Sequence, residues 1–188
     1  VTTDDAARGT SMAICVEQQA VQNDVDPNIH FELPDKLIKY AVEAAYLIPG
    51  DEDGNYNATT TLRCRNSNGS ELKILEFSKD GKIHILGSGG RLNAAAADGT
   101  MPYNLNEWYD VKVILDGNSK KYDFYLNGEL LAENRDAAGK GGEGITAFRF
   151  AICNNTQHAA EHACSEIGAK VYIDDIKISS MVDFPAVE

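Results

Sequence analysis

Five charged or titratable side chains stand where an extended chain would present them on its polar side: Glu43, Arg63, Arg65, His84 and Arg149. Each lies in a run whose alternate members are apolar. In LRCR, Leu62 and Cys64 point inward and the two arginines outward; in KIHIL, Ile83 and Ile85 oppose His84. In FRFAIC, Phe148, Phe150 and Ile152 oppose Arg149, and in YAVEAAY, Val42, Ala44 and Tyr46 oppose Glu43. Arginine carries a flat fork of donors suited to carboxylates, sulfates and sugar hydroxyls. If these strands are neighbours, a basic patch forms on an acidic protein. The polar loop after Arg149 adds the amides of Asn154 and Asn155, and Tyr56 adds an aromatic face from a loop. The expected chemistry is recognition of a hydroxyl-rich or acidic polymer. The plainer alternative is a solvated sheet face whose arginines pair with Glu43 or Glu76.

The elements that would hold these residues read as strands. Between Trp108 and Glu133, Val111, Val113 and Leu115 alternate before Asp116-Gly117-Asn118, and Tyr122, Phe124 and Leu126 alternate before Asn127-Gly128. Period-two alternation broken by Asp-Gly and Asn-Gly signals antiparallel hairpins. Further strands are expected at Ser11–Glu17, Thr59–Arg65, Leu72–Phe77, Lys82–Leu86, Ile145–Cys153 and 170–179, the last beside the first. Lys36–Pro49 is apolar enough for a helix, but Pro34 and Pro49-Gly50 punctuate it and its Tyr, Val and Ile favour a strand. Val21–Pro34 and 87–106 read as loops. About ten short strands without βαβ alternation describe an all-β, two-sheet antiparallel sandwich.

Totals narrow the function. At 188 residues one sandwich domain, 1–188, is expected, and the absence of an initiating Met suggests a piece of a larger secreted protein. A formal charge of −12 argues against nucleic acid as a partner. No apolar run approaches the roughly 18 residues that membrane insertion needs. Nucleophile-elbow, Walker and H-E-x-x-H motifs are absent. Cys153 and Cys164 bracket ten polar or small residues that a disulfide could pin; Cys15 and Cys64 could form a second bridge or stay buried thiols. Oxidising, extracellular or cell-surface placement follows if they bridge.

The Trp-led strand, the "LD" turn, the YLNG hairpin and the late YIDDI strand resemble the concanavalin A-like lectin/glucanase superfamily, over residues 36–179. That group includes laminin-G-like domains and jelly-roll carbohydrate-binding modules. The resemblance implies ligands on a concave outer sheet face or in rim loops, and packing roles for Trp108, Tyr122, Phe124 and Tyr125. It also implies a structural calcium held by Asp174 or Asp175 with main-chain carbonyls near the chain start, oxygen ligands being what calcium prefers. The expectation is a non-catalytic module that binds a polysaccharide or glycan beside catalytic or cell-surface domains of the same parent chain. Glucanases of the superfamily use paired carboxylates on one strand, whereas Glu43 stands alone. Alginate-lyase-type relatives use Arg, a His or Gln, and Tyr; here Arg63, Arg65, His84 and Arg149 would need Tyr46 or Tyr56, and FRFAICNN lacks the tyrosine of their terminal strand. A laminin-G-like adhesion or scaffold domain is the other alternative.

Overall fold

The computed structural model describes residues 13–18, 27–36, 38–87, 90–91, 100–136, 143–153 and 165–181. Thirteen strands are found among them, and no helix. In chain order they are β1 (Ile14–Glu17), β2 (Asn28–Glu32), β3 (Lys39–Leu47), β4 (Thr60–Asn66), β5 (Glu71–Ser78), β6 (Lys82–Gly87) and β7 (Gly90–Arg91). There follow β8 (Thr100–Pro102), β9 (Trp108–Asp116), β10 (Lys121–Leu126), β11 (Glu129–Asp136), β12 (Ile145–Ile152) and β13 (Lys170–Ser180). The first sheet runs β1-β13-β3-β9-β10-β11; the second runs β2-β12-β4-β5-β6-β7, with β8 also paired to β6. All pairings are antiparallel, which makes this a two-layer sandwich.

Alternation decides what lies between the layers. Val42, Ala44 and Tyr46 of β3 and Val111, Val113 and Leu115 of β9 face Leu62, Leu75, Ile83, Phe148 and Phe150 of the second sheet. Tyr46 joins the layers, stacking on Phe77 at 5.3 Å and meeting Phe150 at 6.0 Å. Lys36–Pro49 therefore resolves as a strand. The first and last strands pair, Ile14 opposite Ile173. The Asn127-Gly128 hairpin takes the left-handed conformation at both positions (φ 49° and 83°), as a primed turn requires.

Three expectations are corrected. Val21–Pro34 is not all loop, since β2 forms the edge of the second sheet, its Ile29 and Phe31 packed on the core. Trp108 is not core: Tyr109 takes the inward place and Trp108 stands half-buried on the outer face, opposite Leu47. Cys15 and Cys64 do not bridge. Cys64 lies in the inter-sheet core, where burial pushes its thiol up to about 12. Cys15 alternates with inward-facing Val16 and lies against Tyr172 on the other side of β1. The Cys153–Cys164 proposal falls outside the described residues at Cys164.

The layers are clasped at one end by the turn before β3. The Lys36 carbonyl accepts a hydrogen bond from the Ile145 amide at 2.9 Å, and the Ile38 carbonyl accepts one from Gly117 at 3.0 Å. A Cβ on Gly117 would fall 2.3 Å from the Lys36 carbonyl oxygen, and one on Gly144 only 2.1 Å from the same atom. Glycine is thus required on both sides of one peptide group.

Candidate functional site

The outer face of the second sheet collects most of the charge foreseen from the sequence. Inward placement of Leu62, Cys64, Phe148 and Phe150 leaves Arg63, Arg65 and Arg149 outward. Arg63 lies directly opposite Arg149, Arg149 opposite His30, and Arg63 opposite Lys73. One ladder row across β2, β12, β4 and β5 therefore reads His30–Arg149–Arg63–Lys73. The next row reads Glu32–Ala147–Arg65–Glu71, and the row on the other side holds Asn28, Ala151, Thr61 and Glu76. Lys73 reaches its place through a bulge between Leu62 and Arg63, where Ile74 and Leu75 both turn into the core.

Such a row would repel itself without counter-charges, and Glu71 supplies them. Its two oxygens lie 2.6 Å from Arg149 Nη1 and 3.9 Å from Arg63 Nη1. Arg63 Nε donates to Thr61 Oγ1 at 2.8 Å, and Lys73 pairs with the buried Glu76 at 3.1 Å. Arg149 Nε donates to His30 Nδ1 at 2.8 Å. Arginine can only donate, so His30 Nδ1 presents a lone pair and its Nε2 carries the proton given to Glu32 at 2.6 Å. Ala147 and Ala151 flank Arg149 along β12 and are themselves covered.

The remaining residues fall as follows. Arg65 shares this face, its guanidinium folded back toward Gly69 of the β4–β5 turn. His84 shares it too, opposite Glu76, but is fully buried; its Nε2 lies 3.1 Å from Asp80 Oδ2 and its Nδ1 meets no hydrogen-bond partner. Glu43 does not join the patch. It lies on the outer face of the first sheet, 3.8 Å from Lys112, because β3 belongs to that sheet. Tyr56 is no open stacking surface: its hydroxyl donates to the Tyr103 carbonyl at 2.6 Å and its ring meets Tyr103 edge-on at 5.1 Å. Asn154 and Asn155 lie outside the described residues. His30, Glu32, Glu71 and Lys73 were missed. The signal for the first two was the alternation of NIHFE, obscured by the turn-forming residues ahead of it.

Asp174 and Asp175 sit near the start of β1, where calcium was expected. Asp174 Oδ1 accepts the Asp175 amide at 2.8 Å, and among the described residues no third carboxylate, His or Cys gathers with them. Two carboxylates fall short of the six to eight oxygens calcium takes, so the described side chains fit that ion incompletely. The acidic 51–55 loop closes on itself: Asp51 Oδ1 accepts amides from Asn55 at 2.7 Å and Asp53 at 3.0 Å. Those bonds, Asn55 first, hold the Asp51 carboxyl below its usual value.

No protein-family profile and no curated sequence matches this chain. Solved structures do. A sialidase superposes with a TM-score of 0.62 at 14% identity, covering 92% of this chain and 16% of its own. Trypanosoma rangeli sialidase bound to 2,3-difluorosialic acid gives 0.50 at 13% identity over 75% of this chain and 20% of that one. A family 7 alginate lyase crystallised with substrate gives 0.54 at 11% identity, over 90% of this chain and 77% of the lyase. These likenesses show the fold, a two-sheet antiparallel β-sandwich, and all three proteins are named for work on carbohydrates. The chain spans about a sixth of the first sialidase's length.

Proposed function

We propose that this chain is a secreted, non-catalytic carbohydrate-binding module that recognises an acidic glycan on the outer face of the second sheet. One observation carries the reading: Arg63 and Arg149 stand opposite each other on adjacent strands and share the single carboxylate of Glu71. A uronate or sialate carboxylate laid along the row meets guanidinium groups already held in place by Glu71, Thr61 and His30, so little side-chain freedom is lost on binding. The carbohydrate-active proteins that share the fold support the substrate class, and the small share of the sialidases covered supports a module working beside other domains. Calcium at Asp174–Asp175 is a separate proposal, tested by calorimetric titration with calcium chloride.

A lyase acting on a uronate polymer is the second reading, favoured by the alginate lyase's match over most of its own length and by His84 on the same face. Neither tyrosine considered for its proton transfer is available among the described residues. Tyr46 is sealed in the core, its hydroxyl pushed well above its ordinary value by burial, and the Tyr56 hydroxyl is committed to a carbonyl. Affinity electrophoresis against alginate, pectate, sialylated and neutral polysaccharides tests binding. Retention by acidic polymers without release of unsaturated, ultraviolet-absorbing products is the expected outcome. Product release would establish the lyase instead, and retention by no polymer would favour an adhesion or scaffold role.

A further inference from the structure

The outer face of the first sheet holds a groove of about 620 Å³ that the acidic-glycan reading does not use. Glu43, Asp110, Lys112, Ile114, Tyr125 and Asp175 line it. Its rows follow from register: Tyr172–Leu47–Trp108, then Asp174–Ala45–Asp110, then Lys177–Glu43–Lys112–Tyr125. Ala41 and Ala45, the outward residues of β3 beside Glu43, are too short to fill the face, and the taller flanks make the groove's walls. A bulge between Asp174 and Lys177 sets Asp175 at φ 52° and brings it into the lining. Trp108 lies four residues from Lys112 along β9, about 13 Å at the strand rise. Both Trp108 and Tyr125 are half-buried on this face, and among the described residues neither takes part in a ring–ring contact. The core tyrosines Tyr46, Tyr103 and Tyr109 all do.

We infer that this groove is a second glycan site, selective for an oligosaccharide bearing protonated amines, such as a glucosamine oligomer. Three carboxylates against the single ammonium of Lys112 leave the lining negative, and Lys112 already leans on Glu43. Lys177, opposite Glu43, is the one other cation of that row. An ammonium sugar adds counter-charge beside Asp110 and Asp175 while its C–H face packs on Tyr125 and extends toward Trp108. A uronate there would meet like charge. The molecule would thus carry two faces of opposite preference about one core.

Trp108 is the only tryptophan, so its fluorescence reports this face and no other. Titration with glucosamine oligomers is expected to shift that emission, with affinity falling as salt rises. Tyr125→Ala and Asp110→Asn should each weaken binding about tenfold, given the worth of one aromatic or charge-assisted contact. Asp175→Asn should act similarly, since asparagine keeps the left-handed backbone and removes only the charge. Arg63→Ala with Arg149→Ala should leave this titration unchanged, which separates the inference from the acidic-glycan reading. Equal binding of N-acetylglucosamine oligomers would overturn the amine preference. No emission change with either oligomer, or an unaltered titration in Tyr125→Ala, would overturn the site.

Discussion

The outer faces of the two sheets share a pleat and a core yet differ in how much of their charge is spent within the chain. On the Arg63 face, Glu71, Thr61 and His30 bind the guanidinium groups, with Glu32 holding His30 in turn, and the Glu71 and Arg149 side chains are only 26% and 29% exposed. On the Tyr125 face, Glu43 and Lys112 meet at 3.8 Å with 38% and 43% of their side chains exposed, and Tyr125 and Trp108 are half-buried. The contrast teaches that a rich list of charged residues and an accessible site are different things. The first face is a row of charges already paired with one another; the second is a more exposed groove whose lining holds three carboxylates and one ammonium.

The largest expected effect breaks the comparison at the platform. Arg63→Ala with Arg149→Ala should weaken retention of an acidic polysaccharide about a hundredfold, as loss of two buried charge-assisted contacts implies, while the Trp108 titration stays put. Loss on both faces would mean that the double variant had disturbed the shared core, and thermal melting would reveal it. Next, Glu71→Ala leaves two guanidinium groups without their common counter-charge and is expected to cost about 1–2 kcal/mol in denaturant unfolding, less than a fully buried pair because the face is partly wet. Lys112→Ala at the open face should cost far less in the same assay.

Two pH effects test the parts the faces share. Burial raises the Cys64 thiol from 9.0 to about 12 in the fold. Above the unfolded value the unfolded chain sheds this proton first, so stability should fall as pH rises through that window, and Cys64→Ala should remove this thiol's share of the dependence, leaving that of the buried tyrosines. Alkylation mapped by mass spectrometry should reach Cys64 only on unfolding. The smallest effect lies at acid pH. Burial pushes the Asp116 carboxyl up, but hydrogen bonds from Ser119 and Asn118 outweigh it and leave it below 3.8. Its contribution is present above the unfolded value and lost as pH falls through the folded one; carboxyl NMR titration of Asp116 against Asp116→Asn checks this.

Most of the architecture was legible because alternation is a physical consequence of burying one side of a pleated strand. It gave the inward sets of β3, β4, β6, β9 and β12, and with them the common face of Arg63, Arg65 and Arg149. It could not give sheet membership, so Glu43 was grouped with arginines that lie on the opposite side of the molecule. It failed wherever the period was interrupted: the bulge that brings Lys73 beside Arg63, and the bulge that turns Asp175. The position of Trp108 was readable from the parity of Tyr109, Val111 and Val113, and the family resemblance misdirected it. His30 was hidden because Asn23, Asp24, Asp26 and Pro27 made its surroundings look like a loop.

Gly117 and Gly144 come from turns belonging to different layers, and both press on the Lys36 peptide. Any side chain there acts as a wedge against the Lys36 carbonyl, prying the two sheets apart at that end and changing the angle at which they pack.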